Sequence, residues 1–254
     1  MSNLIIIEEN NLILTLRMNR PEKRNALTTT MYSDLAEAFQ RFENDKTLRV
    51  LVLLGHDDVF TGGNDISDFL NAPPDKSSPA ASFLSAISTA KKPVIAGVRG
   101  PAIGIGTTML LHCDLVFASE DALFQMPFVQ LGLVPEAASS LLLPQLIGHQ
   151  KAAELFMLGR TFDAGEALDM GLVNEVTEPE RLQAVTMERA NQLAQMPPEA
   201  VRQTKALLKS QSETVTERMD KEIRIVEDRL ASPEAKEAFT AFLDKRPPDF
   251  SKFD

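Results

Sequence analysis

The chain has 254 residues, of which 44% are hydrophobic and 24% charged, and this is the composition of a globular protein with a full core. Its formal net charge of −10 repels phosphate backbones and anionic membranes, which argues against nucleic acid or a membrane as the main partner. A single cysteine excludes an internal disulfide and, with no secretory signal in the first residues, predicts a cytoplasmic protein.

The first half of the chain alternates between strand and helix patterns. Two β-rich segments, 4–7 and 12–18, predict a hairpin, and the apolar spacing in 28–45 predicts a helix. Continuous apolar runs predict buried strands at 50–54 and 93–98. The remaining predictions are a surface loop at 73–79, helices at 82–91 and 106–113, and strands at 115–118 and 123–125. This alternation favours an α/β fold with parallel strands.

The second half is dominated by helix formers. Residues 139–158 predict a helix with a break at Gly148, residues 163–170 a short helix ended by Gly171, and residues 173–176 a last strand. Further helices are predicted at 180–195, 198–209, 215–231 and 233–244. We therefore divide the chain into a core at 1–195 and a helical C-terminal region at 196–254.

Two glycine-rich segments follow the two buried strands. They are residues 60–66 and 100–108, and glycine lets a backbone turn sharply and approach a ligand closely. Backbone N–H groups that converge from two such loops form an oxyanion hole. The alternative is that both are ordinary strand-to-helix turns. Neither segment has the spacing of a phosphate-binding loop or of a dinucleotide fingerprint.

Glu136 is the acid that the sequence singles out. It lies in a mostly apolar stretch, 130–140, where the charged form of a carboxylate is disfavoured and its pKa is expected to rise. The alternative is a helix-start acid that the helix dipole favours. His112 is interpreted as a core residue whose hydrogen bonds are satisfied, and Cys113 as a small buried apolar residue.

Several motifs in the same order resemble those of the crotonase superfamily, the enoyl-CoA hydratase/isomerase group. They are residues 19–27, 60–66, 98–114, 128–140, 159–167 and 171–173, so the resemblance covers nearly the whole chain. It implies an α/β fold, a crotonase spiral of ββα units with two roughly perpendicular sheets, followed by a helical region that drives trimerisation. It also implies an acyl-CoA substrate, whose thioester enolate is stabilised by the N–H groups of Gly62 and Ile105.

The resemblance also indicates which reaction is catalysed. Hydratases of the family use two glutamates, and the corresponding positions here are Thr108 and Phe128, neither of which exchanges a proton near neutral pH. Glu136 corresponds instead to the single catalytic glutamate of the 3,2-enoyl-CoA isomerases. We therefore expect isomerisation of 3-enoyl-CoA to 2-enoyl-CoA in fatty-acid oxidation, with Glu136 as the only acid/base and Phe128 helping to exclude water.

The substrate-binding residues are also assigned by resemblance. Lys23 and Arg24, next to Arg20 on a turn, are expected to meet the adenine and phosphates of CoA, and Asp65 to anchor its own loop. Phe242 and Lys245 are expected to reach the CoA of a neighbouring subunit. The predicted acyl pocket contains Phe69, Met126, Phe128 and Leu131. The other expected contacts lie in the two motifs, at Ala26, Gly63, Asn64 and Ile66.

Two other functions remain open at this point. One is hydration or another enolate reaction on acyl-CoA, and the other is non-catalytic acyl-CoA binding. RNA binding is disfavoured by the acidic composition. No metal or redox cofactor is implied, because coenzyme A is part of the substrate. The expected assembly is a homotrimer, with a hexamer as the alternative.

Overall fold

The computed structural model describes residues 3–56, 58–71, 77–196, 198–209 and 233–246, together with isolated positions between 216 and 231. Its strands are β1 (Ile5–Asn10), β2 (Ile13–Met18), β3 (Val50–Leu54), β4 (Val94–Val98), β5 (Pro101–Ile103), β6 (Leu115–Ser119), β7 (Leu123–Gln125), β8 (Phe162–Asp163) and β9 (Glu175–Thr177). Its helices are α1 (Thr29–Asn44), α2 (Ile66–Asn71), α3 (Pro79–Thr89), α4 (Ile105–Thr108), α5 (Ser139–Ile147), α6 (His149–Leu158), α7 (Ala164–Asp169), α8 (Leu182–Ala194), α9 (Pro198–Leu208) and α10 (Pro233–Leu243).

The strands form two sheets. The larger one has the order β1-β2-β3-β4-β6-β9, in which only the β1–β2 hairpin is antiparallel, and the smaller one has the order β5-β7-β8. The predicted α/β architecture with parallel strands is therefore confirmed. β3 and β4 are buried at every position, as their uninterrupted apolar sequences predict for strands covered on both faces.

Helices cover both faces of the larger sheet. On one face α8 packs through Leu182, Val185 and Ala190 against a cluster that includes Val52 and Ile95. The close approach requires a glycine in β4, since a Cβ at Gly97 would lie 2.8 Å from Oγ1 of Thr186. The other face belongs to the main core, in which the apolar side of α1 is buried. The sheet therefore holds the loops that follow β3 and β4 on a rigid base.

Several predicted boundaries differ from the structure. α3 begins at Pro79 instead of residue 82, because Ser78 caps it by accepting the N–H of Ala81 at 3.2 Å. The helix predicted at 106–113 consists of α4 followed by the 3₁₀-helix Met109–His112. The sequence patterns missed the short elements α2, β5 and β8. Most of the predicted helix at 215–231 and part of the predicted loop at 73–79 lie outside the described residues.

The break predicted at Gly148 is confirmed. The residue has φ 81°, in the left-handed region, and separates α5 from α6. Over the part of the chain that the structure describes, no helix combines the length and the hydropathy needed to cross a membrane.

Candidate active site

A cavity of about 720 Å³ opens beside the loops that follow β3 and β4. Thirteen of the residues assigned from the sequence line it: Lys23, Arg24, Ala26, Gly62, Gly63, Asn64, Asp65, Ile66, Ile105, Phe128, Leu131, Glu136 and Phe242. The structure therefore brings most of the predicted site into one place. A cavity of this size with apolar walls and a few polar groups has the character of a small-molecule site.

The two glycine-rich loops lie side by side. Thr61 pairs with Ala102 in a parallel bridge, in which the Thr61 N–H donates to Pro101 O and the Ile103 N–H donates to Thr61 O, both at 3.0 Å. Gly106 keeps the loops close, because a Cβ at this position would lie 2.5 Å from Cγ2 of Thr61. Asn64 and Ile105, each three positions beyond the bridge on its own loop, both line the cavity.

The backbone hydrogen bonds contradict the assignment of Gly62 as a free donor. Its N–H already donates to the carbonyl of Arg24 at 2.7 Å, and the N–H of Gly63 donates to Oγ1 of Thr61 at 3.1 Å. Within the described residues, the N–H groups of Asn64 and Ile105 have no hydrogen-bond acceptor in the protein. The amides of Asn64 and Ile105, both of which line the cavity, are therefore available to a ligand.

Glu136 lies half-buried on the opposite loop and lines the cavity. Its Oε1 accepts a hydrogen bond from the hydroxyl of Thr108 at 2.7 Å, so the carboxylate is held by the helix that also carries Ile105. Thr108, which the sequence predicts not to act as a base, orients the Glu136 carboxylate through this bond. The nearby ring of Phe128, which also lines the cavity, is 7% exposed and offers no polar atom.

The backbone after Glu136 is strained. Ala137 and Ala138 both have left-handed conformations, with φ 56° and 54°, which cost residues with a Cβ roughly 1–2 kcal/mol each. Three hydrogen bonds hold this turn: the N–H and the hydroxyl of Ser139 donate to Glu136 O at 3.0 and 2.6 Å, and His112 Nε2 donates to Ala137 O at 2.8 Å. Non-glycine residues in the left-handed backbone conformation are typical of functional sites.

Tyr32 was not found by sequence reasoning. It lies on the buried face of α1, lines the cavity and donates its hydroxyl hydrogen to Oδ1 of Asn64. Burial, and secondarily the charge of Glu136, raises the pKa of Tyr32 well above its ordinary value of 10.0, so the phenol keeps its proton. The signal in the sequence is its spacing of three residues before Leu35, which places both on one helix face.

Asp65 anchors its loop, as the sequence predicts. Its Oδ1 accepts the N–H of Ser67 at 3.0 Å, and its Oδ2 forms an ion pair with Arg20 at 2.7 Å. Partial burial acts to raise the pKa of Asp65, but the bonds from Arg20 and Ser67 outweigh it and hold the pKa below its usual value. Asp65 therefore stays charged and structural.

A buried asparagine ties the basic turn to the first loop. Asn25 Nδ2 donates to Val59 O at 3.0 Å and to Phe60 O at 3.2 Å, while its Oδ1 accepts the N–H of Arg20 at 2.7 Å. The turn places Lys23 and Arg24 at the cavity with exposed side chains. This position gives the cavity mouth a local positive charge despite the acidic chain.

Three assigned residues are not among the described residues that line the cavity. Met126 is wrong as a pocket residue, because it is fully buried in the core and does not line the cavity. Lys245 is exposed, follows α10 and does not line the cavity, whereas Phe242 lines the cavity of its own chain. The side chain of Phe69 lies outside the described residues. Additional apolar lining comes from Leu84, Leu133, Val134, Met219, Ile223 and Phe239.

His112 has the core role that the sequence predicts, whereas Cys113 is only partly buried and packs against the main core. His112 is 2% exposed, and burial lowers its pKa from 6.5 to about 4, so the ring is neutral at physiological pH. Burial raises the pKa of the Cys113 thiol to about 12. A thiol of this kind is a poor nucleophile.

Comparisons with known proteins support one family. The family model described as enoyl-CoA hydratase/isomerase matches residues 8–252. Enoyl-CoA delta isomerase 2 from Homo sapiens is 32% identical over 252 residues, which cover 96% of this chain but only 64% of the length of that relative. A probable enoyl-CoA hydratase from Rhizobium meliloti is 32% identical over 255 residues, with 97% of each chain covered.

The solved structures agree in fold. The crystal structure of an enoyl-CoA hydratase/isomerase from Pseudoalteromonas atlantica T6c superposes with a TM-score of 0.93 at 44% identity, covering 98% of this chain and 100% of that one. The printed names of these similar proteins include both isomerases and hydratases, so they do not separate the two reactions.

Proposed function

Because the chain belongs to the enoyl-CoA hydratase/isomerase family, we propose that it shifts the double bond of a 3-enoyl-CoA to the 2-position in fatty-acid oxidation. The choice of isomerisation among the reactions of the family rests on one observation. Among the described residues that line the cavity, the carboxylates are Glu136 and Asp65, and Asp65 is ion-paired with Arg20. One acid/base is what a double-bond shift requires, because the proton that leaves one carbon is returned to another.

The first step removes a proton from C2 of the substrate. Glu136 takes this proton, and the electron pair moves onto the thioester oxygen to form an extended enolate. The N–H groups of Asn64 and Ile105 donate to that oxygen, and each such donor contributes roughly 3–4 kcal/mol to transition-state stability. The second step returns the proton from Glu136 to C4, which leaves the double bond between C2 and C3.

The surroundings of Glu136 support isomerisation more than hydration. Hydration requires a water molecule held beside the acyl chain and a second group to deliver a proton. Thr108 already donates to Glu136, and Phe128 presents only its ring to the cavity. The proton shift involves no net oxidation or reduction, so the proposed reaction requires no redox group.

The rest of the substrate fits the remaining walls. The exposed cations Lys23 and Arg24 at the cavity suit the phosphates of CoA. The apolar residues Leu84, Leu131 and Leu133 suit an acyl chain, whose burial is favourable in proportion to its area.

A homotrimer is the proposed assembly. Helix α6 ends with Met157 and Leu158, which are 67% and 64% exposed, and Leu168 in α7 is 41% exposed. Large exposed apolar side chains of this kind are typical of surfaces that another copy covers. Light scattering coupled to gel filtration measures the mass, and a monomer at micromolar concentration contradicts the proposal.

The proposed reaction is tested by supplying two substrates separately to one preparation. With 3-enoyl-CoA we expect 2-enoyl-CoA as the product, identified by chromatography. With 2-enoyl-CoA and water, a hydratase would instead accumulate 3-hydroxyacyl-CoA. Tight binding of both substrates without turnover would support a non-catalytic acyl-CoA-binding protein and would contradict the proposal.

A further inference from the structure

His112 is a buried titratable residue that the proposed proton shift does not use. It is the last residue of the 3₁₀-helix that continues α4, four positions after Thr108. Thr108 holds the side chain of Glu136, and His112 holds the next peptide group through the bond from Nε2 to Ala137 O. One helical segment therefore contacts both the side chain of Glu136 and the backbone of the residue that follows it.

The bond from His112 reaches the backbone at a place where its conformation is strained. Ala137 and Ala138 are both left-handed, although each has a Cβ, and both are almost fully buried. A relaxed backbone at these two positions would rotate the peptide group that follows Glu136. The direction in which the Glu136 side chain leaves the backbone would change with it.

We propose that His112 is a positioning residue, which holds the Ala137 peptide in its left-handed conformation and thereby aims the Glu136 carboxylate into the cavity. This inference rests on the proposed function of Glu136 as the acid/base. His112 does not itself line the cavity, and its contact with the site is the bond to Ala137, which does.

The environment of His112 keeps it a neutral donor. Burial lowers its pKa to about 4, and the positive charges of Lys209 and Lys205 act in the same direction, while the bond to Ala137 opposes it. Lys209 donates to the backbone carbonyl of His112 at 3.0 Å, and Lys205 is ion-paired with Asp114 at 2.7 Å. The imidazole therefore has one proton to give, and a carbonyl can only accept it, which places that proton on Nε2.

The test compares His112→Leu with His112→Gln in the full-length protein. Leucine keeps the apolar volume but loses the donor, whereas glutamine retains an N–H donor at a similar distance from the backbone. For His112→Leu we expect kcat for 3-enoyl-CoA to fall at least about tenfold, with KM changed less than about twofold, because misplacement of a catalytic group lowers the rate of the chemical step. For His112→Gln we expect most of kcat to return.

A merely structural role gives a different result. It would reduce the folded fraction measured by circular dichroism and by active-site titration, while kcat per folded molecule and KM stayed at their wild-type values. That outcome would overturn the proposal.

A crystal structure of His112→Leu gives a readout that is independent of activity. We expect the contact between Glu136 Oε1 and Thr108 Oγ1, 2.7 Å in the wild type, to be lost. An unmoved carboxylate would contradict the positioning role even if the wild type proved not to be an isomerase. Conversely, isomerisation that depends on Glu136 but not on His112 would remove only this inference and leave the proposed function intact.

Discussion

The hydroxyl of Thr108 donates a hydrogen bond of 2.7 Å to Oε1 of Glu136, across 28 positions of sequence. The bond joins the helix that begins at Ile105 to the loop that carries the acid/base. The proposed proton acceptor and one amide of the proposed oxyanion site are therefore held by the same short segment. This arrangement fixes one oxygen of the Glu136 carboxylate.

Substitution of Thr108 by valine tests this hydrogen bond. Valine has nearly the same shape but no hydroxyl, and a bond to a charged group contributes roughly 1.5–3 kcal/mol. We expect kcat to fall about tenfold or more, with little change in KM. Thr108→Ser retains the hydroxyl and is the matched control. Equal losses in the two variants would show that packing, and not the hydrogen bond, is what matters.

A methyl group at Gly106 tests the pairing of the two loops. Its Cβ would lie 2.5 Å from Cγ2 of Thr61, so Gly106→Ala must push the loops apart. We expect the amides of Asn64 and Ile105 to separate and kcat/KM to fall about a hundredfold, since small errors in geometry are costly in an active site. In Gly165→Ala, the new Cβ meets only Oδ1 of Asp163 at 3.3 Å, and we expect near-normal steady-state kinetics.

The stability of the protein should depend on pH through His112. Its pKa is about 4 in the folded protein and 6.5 when exposed, so below pH 6.5 the unfolded chain takes up a proton that the folded protein does not. The stabilising contribution is complete above pH 6.5 and is lost as the pH falls towards 4, by about 3 kcal/mol. Urea unfolding across this range measures the loss.

The comparison that isolates this group uses two histidine variants. His112→Gln should show a shallower decline in unfolding free energy between pH 6.5 and 4 than the wild type. His149 is exposed at the start of α6, and His149→Gln should follow the wild-type profile. Identical slopes for His112→Gln and the wild type would contradict the buried neutral histidine.

Much of the fold follows from the sequence because its signals are local. β3 and β4 have uninterrupted apolar sequences, and α1 has a regular apolar face with a Thr28 cap. The Asp65 anchor could also be predicted, since a carboxylate before a helix accepts its first N–H groups. β8 was missed because a strand of two residues has no pattern, and β5 because it begins at Pro101 inside a glycine-rich segment that is typical of a turn.

The parts of the site that were mispredicted depend on long-range contacts. The assignment of Gly62 failed because its N–H pairs with Arg24, 38 positions earlier in the chain, which no local pattern reveals. Met126 is apolar, as a pocket residue would be, but it follows β7 and is fully buried in the main core. Tyr32 was missed because its partner Asn64 lies on another element.

Cys113 should be chemically inert. With a thiol pKa of about 12, only about one molecule in 10⁵ carries a thiolate at neutral pH. We expect that iodoacetamide does not alkylate the folded protein over hours but alkylates it rapidly in urea. Mass spectrometry measures the extent of alkylation. Cys113→Ala should keep its activity. Fast labelling of the native protein together with loss of turnover would contradict this prediction and would give the Cys113 thiol a role in the reaction.

The central claim is that Glu136 carries the proton, and Glu136→Gln tests it most directly. Glutamine is nearly isosteric with glutamate but cannot exchange a proton, so turnover of 3-enoyl-CoA should fall at least about 10²-fold. Substrate affinity should stay within a few-fold of the wild type. The fluorescence of the single tyrosine, which lines the cavity, measures this affinity. Glu120→Gln, at an exposed carboxylate, should keep full activity. Isomerisation by Glu136→Gln at a rate close to that of the wild type would contradict the account.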